Sequence, residues 1–207
     1  METRPDSSLA GLTGTLLEDV SRAPTVVLVE GVSDRVALLT LATRRARDLD
    51  AEGVLVLPIG GAQRVGGILT ELLAHERGGR LAGLCDVGEE GVFRRGLERA
   101  GLGSGLTRAG MERLGFFVCV EDLEDELVRA LGVTAMEDVL RANGDLNAFR
   151  TYQKQAAHQG KPPEAQLRGF LGNHKPRYAR LLVEALDLER VPRPLDGVLA
   201  HVSPAKS

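Results

Sequence analysis

The segment Thr25–Glu30 (TVVLVE), followed directly by Gly31-Val32-Ser33-Asp34, decides how this chain can fold. A continuous run of β-branched and aliphatic residues predicts a strand that is buried on both faces of a sheet. Ser33 is a suitable N-cap for a helix over Ser33–Leu49, which has apolar residues along one face. A buried strand that leads at once into a helix is typical of a parallel α/β sheet.

The same alternation continues for about a hundred residues. Three further strands are predicted, and they cover Gly53–Ile59, Arg80–Asp86 and Leu114–Val120. The helices predicted between and after them are Gln63–His75, Val92–Ala100 and Asp122–Leu131. Strands that alternate with helices at this spacing indicate right-handed crossovers, so we expect a mainly parallel four-stranded sheet flanked by helices.

After Gly132 the strand pattern ends and short helices follow. They are predicted over Ala135–Ala142, Leu146–Ala156, Glu164–Leu171 and Pro176–Leu186, with one or two helical turns in Val191–Ser207. We therefore divide the chain into a helical extension at residues 1–23, which contains the amphipathic stretch Leu9–Val20, an α/β domain at residues 24–132 and a helical C-terminal region at residues 133–207.

Composition bounds the classes of function. The 207 residues are 43% hydrophobic, which suffices for a core, and the formal net charge of −3 argues against binding nucleic acid through bulk positive charge. With no Trp, two Tyr and five Phe, a base-stacking platform is not expected. Two cysteines cannot form a four-thiolate zinc site, and Cys85 and Cys119 fit small buried side chains. A missing signal core and membrane span predict a cytoplasmic protein with no membrane partner.

Acidic residues follow three of the four predicted strands. Glu30 ends the first strand, Asp86 ends the third, and five acids in six residues follow the fourth at 121–126. The carboxyl ends of parallel strands share one edge of the sheet, so these carboxylates converge there and predict a site for Mg²⁺ or Mn²⁺, with one or two ions. The alternative is that each acid merely opposes the dipole of the helix that it opens.

Glycines and basic residues offer further candidates. Gly60-Gly61 follows the second strand and could admit a substrate backbone, although such a turn more often reflects loop geometry alone. Neither GxGxxG nor a Walker motif is present. Basic groups lie on the first, third and last of the helices named above or just beyond them: Arg44, Arg45 and Arg47; Arg94, Arg95 and Arg99; and Lys175, Arg177 and Arg180. Such groups are commonly solvated faces, and the last of them is the best candidate for contact with phosphate.

Taken in order, these motifs resemble the TOPRIM domain of topoisomerases, primases and related nucleases, and most closely the TOPRIM module of OLD-family (overcoming lysogenisation defect) endonucleases. The resemblance covers about residues 24–131 and 172–187. It is carried by the motifs that follow the four strands and by a late Lys-Pro pair: Glu30-Gly-Val-Ser-Asp34, Gly60-Gly61, Asp86, Asp122-Leu123-Glu124 and Lys175-Pro176.

The resemblance implies a Rossmann-like TOPRIM fold and a set of functional residues. The metal ligands that it implies are Glu30, Asp34, Asp86 and Glu124, with Glu89, Glu90, Glu121 and Asp122 as further candidates. It implies that Glu30 and Lys175 are catalytic, since Lys175 would stabilise charge on the scissile phosphate. The predicted substrate-binding residues are Gly60, Gly61, Arg177 and Arg180.

Two departures from the family pattern keep several functions open. Gly88 stands where TOPRIM domains usually carry a second Asp, and the ATPase of OLD-family nucleases has no counterpart here. The first hypothesis is a metal-dependent endonuclease that cleaves DNA, freestanding or with a separately encoded ATPase partner. The alternative is a non-catalytic TOPRIM module that binds nucleic acid or a partner protein. A third hypothesis is a nucleotidyl transferase or a phosphohydrolase of small nucleotides.

Overall fold

A computed structural model describes Val20, residues 23–74 and residues 79–204. Its sheet has four parallel strands, as the alternating pattern predicts, and their order in the sheet is β2-β1-β3-β4. The strands are β1 (Thr25–Val29), β2 (Val54–Pro58), β3 (Arg80–Asp86) and β4 (Phe116–Cys119). The bounds of β3 are those predicted, and the other three strands are shorter at their ends.

Nine α-helices accompany the sheet within the described residues. They are α1 (Val32–Arg44), α2 (Val65–Ala74), α3 (Glu90–Arg99), α4 (Arg108–Arg113), α5 (Leu123–Ala142), α6 (Leu146–Gln153), α7 (Pro163–Leu171), α8 (Lys175–Ala185) and α9 (Arg193–His201). None of them combines the length and apolar character that a membrane span requires. The predicted stretch Leu9–Val20 lies outside the described residues except for Val20.

Three expectations about helices were wrong in detail. The N-cap of α1 is Gly31 and not Ser33, because the Asp34 carboxylate accepts a hydrogen bond from the Gly31 N–H at 2.9 Å. The helix ends at Arg44 because the chain turns at Ala46, which has a φ of 55°. Helix α4 was missed because six residues are too few to show an apolar period. The break predicted between two helices near Gly132 is present as a kink within α5.

The sheet has one apolar core on each face. Alternate residues of β1 divide between them: Val27 faces the core formed with α1 and α5–α9, and Leu28 faces the core formed with α2–α4. The helices after residue 133 share the first core with α1, through side chains such as Leu182 and Val183 of α8. Cys85 and Cys119 are buried free thiols, as their apolar surroundings in the sequence suggested.

Arginines at the end of α1 attach the C-terminal helices to the sheet domain. Arg44 donates hydrogen bonds to the carbonyls of Val183 and Leu186 at 2.8 and 2.6 Å, and Arg47 donates to the carbonyl of Leu199 at 2.7 Å. Buried carbonyls at a helix end need such partners, so these side chains have a structural role. The alternative that this basic group is a solvated surface or a DNA path is therefore not supported for Arg44 and Arg47.

The order of the strands positions the functional edge. The chain passes from β1 outward to β2 and then returns to the opposite side of β1 to form β3. In open parallel sheets this reversal leaves a crevice at the carboxyl ends of the two strands concerned, where ligands bind. Glu30 and Asp86 lie at those two ends.

The shared core makes a prediction about stability. Leu182→Ala removes a fully buried side chain between α8 and the sheet domain, so the free energy of unfolding should fall by about 2–5 kcal/mol in one cooperative urea transition. The control Glu184→Ala, on an exposed face of α8, should change it by less than about 0.5 kcal/mol. Two separate transitions, with only one affected by Leu182→Ala, would show instead that residues 133–207 unfold independently.

Candidate metal centre

Glu30 links the ends of the two central strands. Its Oε1 accepts a hydrogen bond from the backbone N–H of Asp86 at 2.8 Å. Its own carbonyl accepts hydrogen bonds from the N–H groups of Gly60 and Gly61 at 3.1 and 3.3 Å. Both glycines have positive φ, 70° and 116°, which is the backbone region that requires glycine. The Gly60-Gly61 turn therefore lies at the same edge of the sheet as Glu30, and the main-chain carbonyl of Glu30 holds it there.

Asp34 lies in the first turn of α1 and faces the other acids. Burial raises its pKa to about 6, although the hydrogen bond from Gly31 lowers it, and the negative charges of Glu30 and Glu124 raise it further. An elevated pKa means that the ionised form is disfavoured where it lies. A nearby cation would remove that penalty.

Asp86 shows the same effect more strongly. Burial raises its pKa to about 7, and the charges of Glu30, Asp34, Asp122 and Glu124 add to the increase. Carboxylates that are distant in sequence therefore lie close enough to repel one another, as the strand-end pattern predicts. The pKa of Glu30 is also raised, by burial and by Glu89, against the hydrogen bond from Asp86 that lowers it.

Glu124, in the first turn of α5, is only 3% exposed. Its Oε2 bonds the Lys175 ammonium at 2.8 Å, whereas its buried Oε1 has no hydrogen-bond partner in the structure. For Lys175, burial lowers the pKa, but the hydrogen bond and charge of Glu124 outweigh it and the pKa lies above its ordinary value. Lys175 therefore supplies positive charge at the acid cluster.

The remaining candidates lie at varying distances from this cluster. Asp122 caps α5 through the Asp125 N–H at 2.8 Å and bonds Arg168 at 3.0 Å, while the exposed Glu121 lies 3.7 Å from Arg168. Three other predicted residues form ion pairs outside the cluster. Glu90 pairs with Arg108, Arg177 pairs with Asp145, and Arg180 pairs with Glu184. Their predicted roles stay predictions.

Arg168 is a residue that the sequence analysis missed. It lies on α7, which carries no recognisable motif, and with Lys175 it lines a cavity of about 280 Å³ beside Asp122 and Glu124. Only the fold brings it there, because its partner Asp122 is 46 residues earlier in the chain. The nearest signal in the sequence is its position in the helix just before Lys175.

The carboxylate side chains at this edge are of the chemical type that binds a hard divalent cation. Their positions in the structure, however, are too far apart to surround one ion. Among the residues that the structure describes, no three His, Cys, Asp or Glu side chains are grouped closely enough to hold one ion. Two of the carboxylate oxygens already have partners: Glu30 Oε1 accepts a hydrogen bond from the Asp86 N–H, and Glu124 Oε2 accepts one from the Lys175 ammonium. The unpartnered buried Oε1 of Glu124, among carboxylates that are costly to ionise, is nevertheless the chemistry that Mg²⁺ or Mn²⁺ would satisfy.

The pKa of Asp86 predicts an unusual effect of substitution. Between about pH 4 and pH 7 the folded chain keeps a proton that the unfolded chain releases, so stability falls as the pH rises through this window. Asp86→Asn removes this penalty, and at pH 8 in EDTA it should raise stability by about 1 kcal/mol, a value reduced for partial exposure. The melting temperature should rise by about 2–4 °C.

Calorimetry at pH 4 and pH 8 checks this, with the exposed Asp50→Asn as the matched control. The gain should be confined to the higher pH and absent from the control. A loss of stability for Asp86→Asn at both values of pH would contradict the assignment of Asp86 to a repulsive carboxylate cluster.

Comparisons with known proteins agree with this architecture. Residues 23–74 match the family model described as overcoming lysogenization defect protein-like, TOPRIM domain. The fold is similar to the C-terminal region of the Xanthomonas campestris pv. campestris OLD protein, with a TM-score of 0.65, 23% identity and coverage of 89% of this chain and 94% of that chain. It is also similar to the C-terminal region of the Burkholderia pseudomallei OLD protein, with a TM-score of 0.62, 19% identity and coverage of 87% and 97%.

A comparison with curated proteins gives no match. The matched segment covers β1, α1, β2 and α2, and the structural similarity extends over most of the chain. Residues 23–74 therefore match an OLD-like TOPRIM domain, and the chain has the fold seen in the C-terminal regions of OLD proteins.

Proposed function

We propose that this chain is a nuclease-type module that hydrolyses phosphodiester bonds in DNA with Mg²⁺ or Mn²⁺. The observation that carries the proposal is the buried, unpartnered Oε1 of Glu124 within a group of carboxylates at the strand-order reversal. Burial, together with mutual repulsion, raises the pKa values of Asp34 and Asp86. A protein gains little stability from such a group, whereas a cation-binding site requires it.

The residues that would hold a cation are Glu30, Asp34, Asp86 and Glu124. A bound divalent cation supplies Lewis acidity, which stabilises the charge that develops on phosphate oxygens. Lys175, held by Glu124, would place a second positive charge beside the scissile phosphate. The Gly60-Gly61 turn presents bare backbone at the same edge, since an added Cβ on Gly61 would meet no atom within 4 Å. These residues would bind and orient the substrate.

The number of cations depends on the turn after β3. Gly88 provides no carboxylate, and Glu89 is the acid of this turn that raises the pKa of Glu30. Glu89 therefore lies within electrostatic reach of the cluster and is the best substitute for the second Asp of the family pattern. We propose Glu89 as the additional ligand when two ions bind.

The alternative proposal is a non-catalytic TOPRIM module that binds nucleic acid or a partner protein. The Gly88 departure favours it, and so does the bond from Lys175 to Glu124, which already balances part of the negative charge. A separately encoded ATPase remains the proposed partner in either case, and a cytoplasmic location remains part of the proposal.

Glu30→Gln tests the nuclease proposal directly. The substitution keeps the size of the side chain and a possible acceptor for the Asp86 N–H but removes the charge. Cleavage of supercoiled plasmid in Mn²⁺ should fall by at least about 100-fold. Glu137→Gln, which removes a carboxylate paired with Arg150 on α6, should cleave like the parent protein. Equal cleavage by the parent protein and Glu30→Gln would indicate a contaminant and reject the proposal.

Gly88→Asp tests whether the second acid is lacking. An added Cβ at Gly88 would meet no atom within 4 Å, and its φ is not positive, so the backbone accepts a side chain there. The variant should bind Mn²⁺ with higher stoichiometry or affinity in isothermal titration calorimetry and should cleave plasmid faster. Ser104→Asp, which adds a carboxylate at an exposed position between α3 and α4, should leave both quantities unchanged. Unaltered Mn²⁺ binding in Gly88→Asp would show that Glu89 already completes the site, or that one ion suffices.

A further inference from the structure

A groove on the surface of α3 lies on the opposite face of the sheet from α8. It encloses about 550 Å³ and is lined by Gln63, Val92, Arg95, Glu98 and Arg99. We call this set of five residues the α3 groove. Its lining includes one apolar side chain, Val92, and two guanidinium groups.

The α3 groove begins at the edge of the sheet that carries the acids. Gln63 follows the Gly60-Gly61 turn by two residues, and α3 starts four residues after Asp86. Side chains on a helix lean toward its N-terminus, which for α3 is the end nearest that edge. Gln63 and the start of α3 therefore lie near that edge, and the rest of the groove extends away from it along α3, on the outside of the second core.

Two glycines leave room for the guanidinium groups to lean in this direction. A Cβ on Gly91 would lie 3.3 Å from Nη1 of Arg95, and a Cβ on Gly66 would lie 2.9 Å from Nη2 of Arg99. The Nε of Arg99 also donates a hydrogen bond to the carbonyl of Arg95 at 3.3 Å, which helps to orient it.

Within the described part of the chain, the guanidinium groups of Arg95 and Arg99 are not neutralised by an ion pair. No carboxylate there forms an ion pair with Arg95 or Arg99 in the structure, whereas Arg177 bonds Asp145 at 2.8 Å and Arg180 bonds Glu184 at 3.1 Å. Glu98 is the acidic residue of the groove, and its carboxylate accepts a hydrogen bond from the backbone N–H of Leu106 at 2.8 Å instead of pairing with either arginine. An arginine without a carboxylate partner can bind phosphate without first breaking an ion pair.

We infer that the α3 groove binds the phosphate backbone of the DNA that enters the candidate metal centre, with Arg95 and Arg99 as the phosphate-binding groups. The inference rests on the proposed function for its substrate. It differs from the sequence-based expectation, which favoured Arg177 and Arg180. Interactions of this kind with phosphate set the register of a duplex without reading its sequence, so the groove fixes where a strand passes the acids.

Binding of a fluorescein-labelled DNA duplex, measured by anisotropy in Ca²⁺ over a range of salt concentrations, tests the inference. Arg95→Gln with Arg99→Gln should weaken binding by about 10-fold or more. It should also reduce the magnitude of the salt slope by about 2, because each arginine neutralises one phosphate of the duplex. The charge-matched control, Arg141→Gln with Arg150→Gln on α5 and α6, should change neither quantity, and thermal melting verifies that both proteins are folded.

Three outcomes would overturn the inference: no DNA binding by the parent protein, an unchanged salt slope in the Arg95 and Arg99 variant, or a larger decrease of affinity in Arg177→Gln with Arg180→Gln. Plasmid cleavage in Mn²⁺ is measured in parallel. Cleavage by the parent protein together with unaltered DNA binding by the Arg95 and Arg99 variant rejects only the groove. Binding that depends on the groove, without any cleavage, rejects only the nuclease proposal.

Discussion

The parallel pairing of β1 with β2 on one side and β3 on the other is the constraint on which the rest of the structure depends. It buries β1 on both faces and brings the ends of β1 and β3 together. The hydrogen bond from the Asp86 N–H to Glu30 then closes the gap between these two strand ends. Because each of the two cores takes alternate residues of β1, a shift of register by one residue would exchange its core-facing side chains between them.

The acids at this edge destabilise the chain in which they occur. Burial and mutual repulsion raise the pKa values of Asp34 and Asp86, and Glu124 keeps one buried oxygen unbonded. Lys175 offsets part of this cost from a helix that is distant in sequence. Stability alone would favour neutral side chains at these positions, so their presence is better explained by a ligand with positive charge.

The sequence could predict the parts of the fold that depend on local pattern. Buried strands and the acids after them were readable from Thr25–Glu30 and Arg80–Asp86, since an apolar run and its end are local features. The partner of an ionised side chain is set by tertiary packing, so the pairs of Lys175 with Glu124 and of Arg177 with Asp145 were not predictable. The N-cap was predicted wrongly at Ser33 because Asp34 bonds the Gly31 N–H instead. That Glu30, Asp34, Asp86 and Glu124 are ligands stays a prediction.

The hydrogen bonds from Arg44 hold the C-terminal end of α8 in place. Lys175, the candidate catalytic residue, lies at the opposite end of that helix. Helix α8 has 11 residues, so Lys175 lies roughly 16 Å from the anchored end. A tilt of about 10° about this pivot would displace the start of the helix by roughly 3 Å, a distance comparable to the whole bond between Lys175 and Glu124. A loss of activity on substituting Arg44 would accordingly report a misplaced lysine, and not the removal of a group that binds DNA.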